Sequence, residues 1–127
     1  MKNIYVLFIL SIVLFACEQK KQAQGAKIEF ENTEFCIGKI NQGERFECFF
    51  IVRNTGDSTL IFTHIIPNCE CTSQSSNKTE ISAGESDTLK FIIDTYGKEL
   101  GIFKSEIRII TNTIPDWHVL KITAEIE

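Results

Sequence analysis

Phe46-Glu-Cys-Phe-Phe-Ile-Val-Arg53 decides the fold. In an extended chain successive side chains point to opposite faces, so Phe46, Cys48, Phe50 and Val52 share one side while Glu47 and Arg53 take the other. Leu89, Phe91 and Ile93 repeat the pattern with Lys90 and Asp94 turned away, and Leu120, Ile122, Ala124 and Ile126 repeat it again. Between such runs stand Asn41-Gln-Gly43, Asn54-Thr-Gly-Asp57, Ala83-Gly-Glu85, Tyr96-Gly97 and Asn112-Thr-Ile-Pro115, rich in the residues that turns require. The spacing predicts seven strands at 27–31, 34–40, 45–53, 59–66, 87–95, 102–111 and 117–126, with a shorter one inside 70–82. No stretch of the mature chain keeps a helical stripe long enough to cross over a sheet, which argues for antiparallel pairing. The expectation is all-β: an immunoglobulin-like antiparallel sandwich over residues 27–127, with a closed barrel as the alternative. A chain this long buries a little under about 70% of its unfolded surface, enough for one core.

The N-terminus carries a different signal. Ile4 to Ala16 is apolar except for Ser11, follows Lys2, and is too short to span a bilayer comfortably. It ends in Leu14-Phe-Ala-Cys17, which resembles the bacterial lipoprotein signal, so residues 1–16 are expected to be removed and Cys17 to become a lipidated N-terminus. Residues 17–26, polar and without apolar periodicity, follow as a tether. An uncleaved anchor helix is the competing account. Lipid on Cys17 places the protein in the cell envelope, attached to a membrane, with the outer membrane at its periplasmic or surface face as the expected site.

Charge narrows the partners. Without Lys2 the mature chain has 12 basic against 17 acidic side chains, so nucleic acid is excluded as an expected partner. Lys20, Lys21 and Lys27 are too few for a polybasic lipid patch. No G-x-S-x-G elbow or phosphate loop is present, and Asp57, Asp87 and Asp94 stand at turns or strand ends, so no enzyme activity and no cofactor are expected.

Several of these segments together resemble a family: Ile37-Gly38 with Gly43-Glu44, Asn54-Thr-Gly-Asp57, Cys69-Glu-Cys-Thr72, Ala83-Gly-Glu85 and Thr111-Asn112. They look like the domain of unknown function 1573 family of lipoproteins, similar in fold to the immunoglobulin-like ASPM/SPD-2/Hydin modules. The resemblance implies a sandwich and an envelope location, and brings no activity. The family usually has glycine between the paired cysteines, where this chain has Glu70.

Cys36, Cys48, Cys69 and Cys71 are the non-lipid cysteines, and outside the cytoplasm they are disulfide candidates. In an extended segment Cys69 and Cys71 would stand roughly 6–7 Å apart at Cβ, beyond disulfide reach. Direct pairing requires a bent loop, which Pro67-Asn68 makes possible and Glu70 does not help; the expected bond runs from this pair to Cys36 or Cys48, with three pairings open. The alternative is thiol-redox chemistry, or a soft copper or zinc site on Cys69, Cys71 and His64, without a second ligand pair at recognisable spacing. His64 is otherwise expected on the inward face with Leu60, Phe62 and Ile66, and Trp117 over the end of the core, with a surface anchor for sugar or peptide as its alternative. The chain is thus read as a membrane-anchored, non-catalytic binding or scaffold module whose exposed sheet edge takes an envelope protein or peptide by strand addition.

Overall fold

Among the described residues, period-two patterning becomes nine strands in two sheets. The computed structural model describes residues 23–127; the signal segment, Cys17 and the first part of the tether lie outside the described residues. The strands are β1 (Ile28–Phe30), β2 (Glu34–Ile40), β3 (Arg45–Asn54), β4 (Leu60–Pro67), β5 (Thr72–Gln74), β6 (Glu80–Ile81), β7 (Ser86–Asp94), β8 (Gly101–Thr111) and β9 (Trp117–Ile126). One sheet has the order β1-β3-β7-β5, the other β2-β9-β8-β4-β6. Seven strands match the expected ones, and the region 70–82 supplies two short ones.

The inward faces build a single core. Cys48, Phe50 and Val52 of β3 meet Leu89, Phe91 and Ile93 of β7 within one sheet, against Ile107, Ile109, Leu120 and Ile122 of the other, all at most 2% exposed. The Phe50 and Phe91 rings lie edge-on, 6.1 Å between centroids. Burying each contributes about 2–3 kcal/mol.

Pairing is not antiparallel throughout. β2 runs parallel to β9, from Glu34 opposite Lys121 to Ile40 opposite Ile126. After β1 the chain crosses from one sheet to the other at Glu31–Thr33, and so enters beside the last strand heading the same way. A bulge between Cys36 and Gly38, with Gly38 at φ 86°, breaks the alternation so that Ile37 and Ile40 both reach the core.

A second bulge corrects the expectation for His64. The register shifts between Phe62 and His64, leaving Thr63 and His64 both outside and turning Ile65 inward instead. Trp117 is also misplaced by the sequence pattern: it sits on the outer face of β9, 59% exposed, rather than over the core. Finally, the N-H of Gln24 reaches the Asp57 carboxylate at 2.8 Å and the N-H of Asp57 reaches the Gly25 carbonyl at 3.1 Å. Residues 24–26, assigned by composition to the tether, are thus bonded to the sandwich.

Candidate functional site

Strands too short for their neighbours leave backbone unpaired. β1 covers only Val52–Asn54 of the ten-residue β3, and the N-H of Glu31 takes the Ile51 carbonyl before the chain leaves for the other sheet. Ile51 and Thr55 bond toward the β1 side, so by the period of two the backbone groups of Glu47 and Phe49 point there as well. No strand among the described residues pairs with them. Beside this stretch lies a surface cleft lined by Glu31, Asn32, Phe35, Phe49, Phe50 and Ile51. Phe49 is half exposed and stacks edge-on against Phe35 at 5.7 Å. The start of the edge is fixed by Arg45, whose Nε lies 2.9 Å from Asp94. The Tyr96 N-H, and then Arg45, hold the Asp94 carboxyl below its usual range.

Phe49 and Ile51 were not singled out in the sequence as functional residues. Their signal was there: both are apolar at positions where the alternation calls for polar side chains, and both are exposed.

The cysteines are arranged differently from the expectation. Cys69 is joined to Cys71, with Cα atoms 5.1 Å apart, while Cys36 is free on the surface and Cys48 is free in the core. The segment is not extended. The N-H of Thr72 bonds the Cys69 carbonyl at 3.0 Å, closing a turn that brings the two side chains together. Glu70 does this without a positive φ, so glycine is not required between the cysteines. Cys36 lies on β2, with β9 and β8 between it and β4, and Cys48 faces the core from β3, with β7 between it and β5.

Hydrogen bonds hold the loop independently of the disulfide. Asn68 bonds Glu106 twice, through its N-H to the carbonyl at 2.8 Å and through Oδ1 from the N-H at 2.9 Å. Thr72 and Ser105 share a buried hydroxyl pair at 2.9 Å, and the N-H of Asp94 reaches the Cys71 carbonyl at 2.8 Å. In the disulfide neither sulfur is a thiolate for a metal. Among the described residues no group of three His, Cys, Asp or Glu side chains is placed to hold an ion.

Two thiol measurements follow. A disulfide closing so short a loop stabilises by about 1–2 kcal/mol in the entropic model, against roughly 3–4 kcal/mol for a bond to Cys36 or Cys48. Reduction is therefore expected to lower the melting temperature by less than about 10 °C, and a fall beyond about 15 °C would contradict the pairing. Burial pushes the Cys48 thiol up to about 11. The folded state thus keeps a proton that the unfolded state loses, so this contribution is complete below pH 9.0 and is lost as pH rises toward about 11. At mildly alkaline pH, alkylation of the native chain should label Cys36 and spare Cys48 until the chain unfolds.

A family model described as a protein of unknown function (DUF1573) matches residues 28–126. The chain belongs to the DUF1573 family. This DUF1573 sandwich is similar to a solved Porphyromonas gingivalis W83 protein of unknown function, at TM-score 0.69 and 22% identity over 81% of this chain and 48% of that one. It is also similar to the ASH/PapD-like domain 7 of human CEP192, at TM-score 0.60 and 10% identity, covering 80% and 85% of the two chains. A third likeness is to the CsuC-CsuE chaperone-tip adhesion subunit pre-assembly complex of Acinetobacter baumannii, at TM-score 0.58, 12% identity and 80% and 58% coverage. The DUF1573 chain spans about half the Porphyromonas protein. At these identities the likeness carries the immunoglobulin-like, PapD-like fold. No curated protein matches the sequence.

Proposed function

We propose that this protein is a lipid-anchored envelope lipoprotein whose sandwich binds an extended segment of another envelope protein, or a peptide, by strand addition and without catalysis. The observation that carries it is the Glu47–Phe49 stretch of β3, paired with β7 on one side and, among the described residues, with no strand on its β1 side, beside the Phe35–Phe49 cleft. Backbone amides there offer a ladder, and the phenylalanines offer a pocket for alternate side chains of the incoming strand. The PapD-like fold lends support, since one solved likeness is a chaperone holding an adhesion subunit. Anchoring is supported by Leu14-Phe-Ala-Cys17.

The test places a photo-crosslinking residue at position 49 and follows Cys17→Ser in membrane fractions. The expected result is one polypeptide crosslinked from position 49 and not from a control at Ser73, and lost on Phe35→Asp. Cys17→Ser should abolish lipid labelling and processing. Equal crosslinking from both positions would reject the edge, and unchanged processing would reject the anchor.

A second function, thiol exchange at Cys69–Cys71, is favoured by one observation: the loop is braced by hydrogen bonds that do not involve the sulfurs, and both cysteines are partly exposed. Ready exchange with a small dithiol while the fold persists would favour it; resistance short of unfolding would reject it.

A further inference from the structure

One end of the sandwich gathers the chain's entry and the fully exposed Ile114, while Tyr96 and Leu100 in the β7–β8 connection and Ile102 at the start of β8 stand exposed at the other end. Asp57 ties the entry segment at Gln24–Gly25 to the β3–β4 connection. Asn112 ties the β8–β9 turn to the same connection: its Oδ1 accepts the Ile61 N-H and its Nδ2 donates to the Thr59 carbonyl, each at 2.9 Å. From that end Ile114 stands fully exposed, with Trp117 59% and Ile61 45% exposed beside it. Trp117 pairs with the half-buried Ile110 across β8 and β9, extending the apolar surface onto the outer sheet face.

The turn is built to display these residues. The Thr113 hydroxyl bonds the Pro115 carbonyl at 2.8 Å, Thr111 at 2.7 Å and His118 at 3.1 Å, and the N-H of Thr111 bonds the Asp116 carbonyl at 2.7 Å. Ile114 is held out on a braced tip. It cannot fold back on the core to escape water without breaking that network. Tryptophan with a neighbouring aliphatic tip is the chemistry of the bilayer interface, where the ring body is apolar and the indole N-H stays wet.

We propose that this end is a membrane-contact face, with Ile114 and Trp117 seated in the interfacial layer of the bilayer. The proposal rests on the lipid-anchor reading. Even fully extended, the chain from Cys17 to Gln24 spans at most roughly 25 Å, so the anchored domain has this end nearest the lipid. Asp57, Glu85 and Asp116 lie on the loops here against Lys27, so attraction to anionic headgroups does not drive the contact. Neutral headgroups suffice, and salt has little effect.

Trp117 is the only tryptophan, so its fluorescence reports on the contact directly. The full chain is reconstituted in phosphatidylcholine vesicles, with and without brominated acyl chains. Brominated lipid should quench Trp117 about twofold or more, unchanged in high salt. Ile114→Asp should abolish the quenching while lipid stays on Cys17 and the circular dichroism is unchanged. Lipid on Cys17 with an unquenched Trp117 overturns the membrane face and leaves the anchor. Quenching without lipid on Cys17 upholds the face and overturns the anchor. Neither lipid nor quenching overturns both.

Discussion

Asn54→Ala is expected to destabilise the fold by about 3–4 kcal/mol, a fall of roughly 15–25 °C in melting temperature for a domain of this size. Asn54 is wholly buried at the end of β3. Its Nδ2 donates to the carbonyls of Ser58 at 2.8 Å and Ile81 at 3.0 Å, and its Oδ1 accepts the N-H groups of Gly56 at 3.0 Å and Lys27 at 3.4 Å. One side chain thus fixes the entry segment, the β3–β4 turn and β6. Alanine leaves those backbone groups without partners, each at a desolvation cost of about 1–3 kcal/mol, partly relieved where water enters. Gly56 adds to the constraint, because a Cβ there would overlap the Gly25 carbonyl. Asn112→Ala is the contrast. Its side chain makes a similar pair of bonds at the surface, where water replaces them, so thermal unfolding should move by only a few degrees. Equal shifts for the two variants would show that burial of Asn54 is not what makes it matter.

Phe91→Ala should be at least as damaging, costing about 3–5 kcal/mol. The ring is 0% exposed in the centre of β7 and packs against Phe50, so its removal leaves a cavity that strands on both sheets cannot collapse to fill. Phe49→Ala, on the adjacent strand but half exposed, should cost under about 1 kcal/mol. Urea unfolding of the two variants separates core from rim. A small effect at Phe91 would mean that the two sheets are not packed as described.

The strands of the core were legible because each has one buried face and one wet one, and period two survives wherever that holds. Cys48, Phe50, Leu89 and Leu120 all fall where the alternation puts them. It fails where a residue is inserted. The bulges at Gly38 and at Phe62–His64 shift the inward positions by one, so His64 was placed on the wrong face. Trp117 failed for another reason: its size argues for burial, and only the position of the β8–β9 turn shows that nothing lies over it. The turn at Asn54-Thr-Gly-Asp57 was visible in the residue types, yet the burial of the Asn54 side chain depends on β6 and the entry segment, which are distant in sequence. Direct Cys69–Cys71 bonding needs a bend that Pro67-Asn68 permits but does not dictate, and that bend is fixed by the Cys69–Thr72 hydrogen bond, which residue types alone do not show.

The parallel seam between β2 and β9 has a consequence for how the molecule is made. β9 is the last in chain order of the strands described, yet it sits inside its sheet, between β2 and β8. The Lys39–Glu127 pair across that seam joins residues 88 apart. Until the final residues of β9 emerge, β2 has no partner and β8 lacks one flank, so the five-stranded sheet cannot close progressively behind the ribosome. Contacts this distant in sequence place the fold among the slower ones, in the millisecond-to-second range. Loss of β9 would open the sheet along its middle rather than fray its rim.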